Sequence, residues 1–333
     1  MNTLPLIAIL HGAIPPDAPE DELDTLHQVQ YVTEALTALG YRVAPVPLTL
    51  NLAEAGKKLQ ALHPLLVFNM VDSIECRGTL APLAFTLLEH LQMPFTGSPS
   101  YATCTTTDKL LCKRLLHGAG IPTPEWIEPD AVATLPALEG EYIIKSLMED
   151  GSIGLTQESV VTTPDAMRAV IKDRTERYGG LWFAERYIDG REFDITILET
   201  PDGIRALAPA EMEFTNRPAG ARAFFDYTVK WLNDNPDNPL LEHLFDFPAS
   251  DAPLLARLTE MALRCWRLFQ LEGYGRVDFR VDANGNPYVL EINVNPCLIP
   301  GCIITASGER SGYDYNQFIG AVVNAAKRRF GLP

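Results

Sequence analysis

The sequence predicts an α/β domain at the N-terminus followed by an α+β remainder. Three observations carry that expectation. Residues 1–100 alternate apolar strand runs with helically spaced apolar positions. The Ser/Thr-rich run SPSYATCTTTDK then breaks the alternation and marks a domain boundary. Beyond it strands and glycine turns dominate. They end in GRVDFRVDANGNPYVLEINVNP (residues 275–296), which reads as a hairpin with a two-residue turn at Asn284-Gly285.

Residues 4–10 form the first strand. Leu23, Leu26, Val29, Val32, Leu36 and Leu39 recur at helical spacing, and Gly40 stops that helix. YRVAPVPL and LLVFNM read as strands, residues 80–91 as a helix, and MPFTGS as the strand that closes the series. Such alternation implies parallel strands covered by helices. The first turn, HGAIPPDAPED, lacks GxGxxG, so a nucleotide would bind elsewhere. Past the boundary Asp108 caps the helix KLLCKRLLH, EYIIKS is a strand, and MEDGSIG is a glycine loop. LWFAERYIDGREFDITIL reads as two strands joined at Asp189-Gly190. NDNPDNP is the most turn-rich spot, and residues 254–269 and 318–330 are helices on either side of the hairpin.

Composition narrows the function. The chain has 333 residues, 47% hydrophobic and 21% charged, as an ordinary globular protein of more than one domain does. A net charge of −16 argues against general nucleic-acid binding but leaves room for a local basic pocket. The six cysteines form no CxxC pair, which suits free thiols in a reducing compartment. The N-terminus has no basic start, and no apolar run approaches membrane-spanning length, so a cytoplasmic location is expected.

The hairpin poses a chemical question. Folded about its turn, it sets Val277 opposite Ile292, Phe279 opposite Leu290, Arg276 opposite Asn293, and Asp278 opposite Glu291. Two carboxylates directly across an antiparallel pair repel. A divalent cation resolves the conflict: Mg²⁺ (or Mn²⁺) takes oxygen ligands and sits between carboxylates and substrate phosphates. Asp278, Glu291 and Asn293 are therefore candidate metal ligands, and Arg276 could steady a phosphate or an oxyanion. The glycine loop follows a strand carrying Lys145, an arrangement that can cradle phosphate. Glu185 and Glu192, taken alone, read first as plain surface charges, and Lys230, in an aromatic segment, as a lysine that snorkels to water or a third phosphate contact.

In order along the chain, these pieces resemble the ATP-grasp superfamily, and within it the D-alanine–D-alanine ligases. The resemblance implies an ATP-grasp fold in three parts. A Rossmann-like (pre-ATP-grasp) substrate domain would span residues 1–100, a small central α+β lid subdomain 101–185, and a C-terminal α+β catalytic subdomain 186–333. In TTTDKLLCKRLLHGAGIPTP, Lys109 falls at the family's nucleotide-binding lysine, and in YIIKSLMEDGSIG, Lys145 at its second lysine. FAERYIDGREFD resembles the hinge that holds adenine through backbone groups, with Glu185, Arg186, Tyr187 and Ile188 there and Glu192 at the ribose position. FFDYTVKW puts Lys230 at a γ-phosphate contact. Asp278, Glu291 and Asn293 match the metal signature, and Arg276 the catalytic arginine. The implied cofactors are ATP and Mg²⁺ or Mn²⁺, the implied substrates small amino acids or peptide-like molecules, and the implied assembly a homodimer.

The sequence departs from the family where amino acids bind. Ser152 stands beside Gly151 where the family has paired serines. Trp231 replaces the lid tyrosine, Asp21 aligns with a substrate-binding glutamate, FNMVDSIECRG replaces a His-Gly-rich loop, and Cys297 and Cys302 stand at the second amino acid's site. Ser152, Asp21, Lys230 and Arg276 are the expected catalytic positions. Losing polar partners changes which substrate is held. The expected activity is an ATP-dependent carboxylate–amine ligase with an altered substrate. D-alanine–D-alanine ligase itself, or a nucleotide-binding regulatory protein without catalysis, are the alternatives.

Overall fold

The structure is a computed structural model describing residues 4–15, 18, 20–215, 220–224, 227 and 240–333, with the side chains of residues 20, 21, 240 and 241 left aside. The chain begins β1 (Leu6–Gly12), α1 (Glu20–Ala38), β2 (Arg42–Leu48), α2 (Leu52–Leu62), β3 (Leu66–Asn69) and α3 (Pro82–His90). These strands form a parallel sheet in the order β2-β1-β3. Central β1 is LIAILHG, apolar almost throughout, because a parallel sheet is covered on both faces. Ile7 and Ile9 enter one hydrophobic core, and Ala8 and Leu10 the other.

MPFTGS is not a full strand. Only Phe95 makes a parallel bridge, to Val67, before Gly97 turns the chain at φ +84°. Pro94 has no N–H to extend a ladder. The Ser/Thr-rich boundary is itself a helix, α4 (Ser100–Thr107). Thr103, Thr105 and Thr106 each return a hydroxyl hydrogen bond to the carbonyl four residues back, which satisfies them inside a helix. Helix α5 (Lys109–Gly118) follows, and Asp108 caps it by accepting from the Leu111 N–H at 2.9 Å.

A small antiparallel sheet comes next, from β4 (Trp126–Ile127), β5 (Tyr142–Ser146), β6 (Val160–Val161) and β7 (Trp182–Arg186), in the order β4-β7-β5-β6, with α6 (Pro164–Tyr178) packed on it. The third sheet holds β8 (Gly190–Thr200), β9 (Gly203–Ala206), β10 (Ala210–Thr215), β11 (Leu240–Leu244), β12 (Tyr274–Asp282) and β13 (Pro287–Asn293). Its path is β11-β10-β8-β12-β13, with β9 beside β8. Helix α7 (Ala252–Leu268) lies between β11 and β12 in sequence, and α8 (Ile303–Arg310) and α9 (Tyr315–Arg329) end the chain. The hydrophobic cores cross the expected domain limits. Cys112 and Leu116 of α5 pack with α7 on the third sheet, and Phe318 and Val322 of α9 pack with Ile7 and Ile9 of the first.

Alternation in β8 and β12 creates a two-sided sheet. Phe193, Ile195, Ile197, Val277 and Phe279 enter the core beneath α5 and α7. Glu192, Asp194, Arg276, Asp278 and Arg280 therefore share the opposite face. Strands β7 and β8 part company at Gly190, one joining the small sheet and the other the large one. A Cβ at Gly190 would lie 2.0 Å from the Val281 carbonyl oxygen, so this crossing requires glycine. Gly190→Ala is expected to cost about 3 kcal/mol, read as a lower urea midpoint at unchanged slope.

The hairpin register corrects the expectation in two places. Gly285 sits at φ +79°, and the Gly285 N–H bonds to the Asp282 carbonyl while Asp282 N–H bonds to Asn286 O, so the loop has three residues and not two. That shift puts Phe279 opposite Val289, not Leu290. A β-bulge after Asp278 absorbs Leu290 and restores Asp278↔Glu291, Val277↔Ile292 and Arg276↔Asn293. The bulge also turns both Leu290 and Glu291 toward the same cleft.

Candidate active site

A cleft of about 570 Å³ is lined by residues of the two antiparallel sheets, of helix α1 and of the segment that follows β3. Three carboxyl positions run side by side across neighbouring strands here: Asp278 on β12 and Glu291 on β13 line the floor, and Asp194 on β8 is buried beside Asp278. Arg276 clamps Asp278 with two bonds, Nε to Oδ1 at 2.6 Å and Nη2 to Oδ2 at 2.8 Å. Its Nε lies 3.6 Å from Asp194 Oδ1. Asp278 is held below the ordinary carboxylate range: burial opposes this, and Arg276 overrides it. Burial pushes Glu291 up to about 7, helped by Asp150 and Asp278. Two acids forced together this way suit a hard divalent cation. Asn293 adds an amide oxygen, which accepts only from the Asn295 N–H at 2.9 Å and keeps a lone pair. Among the described residues no three His, Cys, Asp or Glu side chains close into a metal cage.

The glycine loop after β5 forms one wall. Gly151 (φ +73°) and Ser152 (φ +62°) are both left-handed, and Ser152 lines the cleft. Lys109 is buried, and its Nζ reaches Asp150 Oδ1 at 2.6 Å and the Glu149 carbonyl at 2.9 Å. Lys145 Nζ meets Glu185 Oε1 at 2.5 Å, and Lys113 Nζ meets Glu185 Oε2 at 2.6 Å. Burial would raise the Glu185 pKa, but the two lysines bring it down to about 2. Burial also pushes the Lys113 ammonium down, against the pull of Glu185. The Glu185 side chain is thus a lysine anchor, beyond the backbone role expected of it.

The segment 186–188 links the two antiparallel sheets. Arg186 turns its guanidinium outward, over Tyr142 and onto the Glu139 carbonyl. Tyr187 and Ile188 line the cleft with Ile143, Leu155 and Phe224. Glu192 is buried and paired with Arg280 at 2.9 Å, with its carboxyl pushed up by burial. Lys230 and Trp231 lie outside the described residues, as do the NDNPDNP turn and the side chain of Asp21.

At the N-terminal end helix α1 brings Glu22 to the cleft. Its carboxylate accepts from the Ser73 hydroxyl at 2.7 Å. Glu22 thus lies next to the expected Asp21, whose side chain is outside the described residues. Asp24 and Asp72 line the cleft beside it. Cys297 Sγ lies 3.3 Å from Cys302 Sγ and 3.7 Å from Asp24 Oδ2. Sequence reasoning missed Glu22, Asp72, Lys113, Asp194 and Arg280.

Residues 131–324 match the family described as D-ala D-ala ligase C-terminus, more than half of the chain. The chain belongs to this ligase family. Across its length it is 27% identical to the D-alanine–D-alanine ligase of Thermotoga maritima, covering 98% of this chain and 99% of that protein. The solved D-alanine–D-alanine ligase of Bacillus anthracis complexed with ATP superposes with a TM-score of 0.72 at 18% identity, covering 98% of each chain. The D-Ala:D-Ser ligase of Enterococcus faecalis does so at 0.73 and 16%, over 97% of this chain and 99% of that one. These likenesses show the ATP-grasp fold. The family membership makes the chain an ADP-forming, D-alanine–D-alanine ligase-like enzyme. No helix of the described residues is long and apolar enough to cross a membrane.

Proposed function

We propose that the protein joins the carboxylate of one amino-acid-like substrate to the amine of another at the expense of ATP. The observation that carries this reading is the cleft floor, where Arg276, Asp278 and Glu291 converge beside Lys109 and Lys145 on a chain that is acidic overall. ATP would transfer its γ-phosphoryl group to the carboxylate, releasing ADP. The amine would then attack the acyl carbon, and phosphate would leave. Phosphoryl transfer needs positioning and charge neutralisation more than covalent help. Asp278, Glu291 and Asn293 would hold Mg²⁺ or Mn²⁺, which when bound neutralises phosphate charge. Lys109, Lys145 and Lys230 would contact the phosphates, and Arg276 the oxyanion of the tetrahedral intermediate. The backbone of residues 185–188 would hold adenine between apolar walls such as Ile143 and Leu290, with Glu192 toward the ribose. Ser152, Asp21 and Glu22 would face the amino-acid substrates.

The substrate pair is proposed to differ from two D-alanines. Glu22, Asp24, Asp72 and the Cys297–Cys302 pair line the end of the cleft proposed for the amino acids. Changed polar partners at a binding wall change which substrate is retained. Phosphate release with D-alanine alone tests this. Background-level turnover is expected, alongside activity with another amino acid or dipeptide in a coupled ADP-release screen. Robust, saturable turnover with D-alanine would make the protein a D-alanine–D-alanine ligase. ATP binding with no product from any member of the panel would sink the ligase reading.

A further inference from the structure

Asp194 is fully buried, and neither carboxylate oxygen has a hydrogen-bond partner. Buried polar groups are rarely left this way, so each such case asks for a partner that arrives later. Its cross-strand neighbours supply no counter-charge: the Ala210 side chain has no donor, and Asp278 is itself an acid that can at most share a proton with it. Among the described residues the cation beside it is Arg276, 3.6 Å away. That is about 1 Å longer than a usual charge-assisted hydrogen bond. Arg276 is held back because both Asp278 oxygens already accept from it. A divalent cation on Asp278 would need one of those oxygens and would repel the guanidinium.

We propose that Asp194 is a positioning residue that receives Arg276 when Asp278 turns to a divalent cation. The proposal rests on the metal reading of the cleft floor. Asp278 passes from arginine to metal, while Arg276 moves a short distance sideways and stays at the floor, where it can meet developing negative charge. Without Asp194 the guanidinium has no second carboxylate and competes with the cation for Asp278.

A double-mutant cycle on Mn²⁺ affinity tests this, read by electron paramagnetic resonance with a non-hydrolysable ATP analogue present. Asp194→Asn is expected to weaken Mn²⁺ binding about 10-fold, as loss of a group supporting a metal ligand does. In an Arg276→Leu background the same change should alter affinity less than about 2-fold, since no guanidinium remains to compete. Equal weakening in both backgrounds would overturn the proposal and make Asp194 a metal ligand or a merely structural residue. Unchanged affinity on Asp194→Asn in the chain that keeps Arg276 would also overturn it. If the unaltered protein binds no Mn²⁺ with nucleotide, the metal reading itself falls and takes the proposal with it. Asp194→Thr, which suits a strand, replaces Asp194→Asn if that variant does not fold, with the same expected outcomes.

Discussion

Asp278→Ala and Glu291→Ala are each expected to lower ATP-dependent turnover by about 10³-fold, the scale on which phosphoryl transfer depends on charge neutralisation. The measurement is coupled ADP release with whichever substrate pair the screen identifies. Stability should not follow activity. Glu291 is pushed up to about 7 by burial, Asp150 and Asp278, so its carboxyl sits in an unfavourable field. Removing it should leave the unfolding free energy within about 1 kcal/mol, because the repulsion goes with it. Asp278→Ala removes the clamp on Arg276 but leaves Asp194 on the same face. A mere surface role for these acids predicts full turnover in both variants, and that result would end the cleft-floor reading.

The hairpin shows how far sequence could reach. Its alternation gave the faces of β12, and Asp278 was set opposite Glu291 as the structure has it. The assumed two-residue turn, however, is one residue short. The pairing still came out right because the bulge at Leu290 adds a residue to the other strand. Local turn propensity favours Asn-Gly in two-residue turns, but here Asp282 draws the Asn284 and Asn286 N–H groups onto its own carboxylate and lengthens the loop.

Helix α1 illustrates the opposite outcome. The leucines at 23 and 26 suggested the buried face, yet Leu26 is exposed. The buried stripe runs Glu22, Thr25, Val29, Val32, Leu36, spaced three and four apart. A glutamate and a threonine continuing an apolar stripe were the available signal for an acid facing a cleft. They were passed over because polar residues do not score as core. Asp194 was hidden by the same logic. It alternates correctly with Phe193 and Ile195, but only the three-strand order β8-β12-β13 places it beside Asp278. Non-consecutive strand pairing is not written in local sequence.

Glu185→Ala is expected to destabilise the protein by about 3–5 kcal/mol, the cost of leaving a buried ion without its partner. Lys113 has 1% side-chain exposure and Lys145 19%, and both point at this one carboxylate. The pH dependence carries the sign of a depressed acid. Glu185 falls from 4.5 to about 2 on folding. Its contribution is therefore complete above about pH 4.5 and disappears as the pH falls toward 2. Acid unfolding of Glu185→Gln should be shallower than that of the unaltered chain across that window. Burial of Lys113 offsets part of the gain at neutral pH, so the group as a whole is worth less than the glutamate's shift alone. That offset leads to a sharper test. Lys113→Met combined with Glu185→Leu removes the buried charges together and should recover most of the stability in urea unfolding at pH 7, since a well-packed apolar pair can replace a buried ion pair. Turnover should not recover. Lys145 would still have lost the carboxylate that holds it at the cleft wall beside the glycine loop. If stability and turnover return together, Glu185 serves the core alone. If only stability returns, it positions Lys145 for the phosphates.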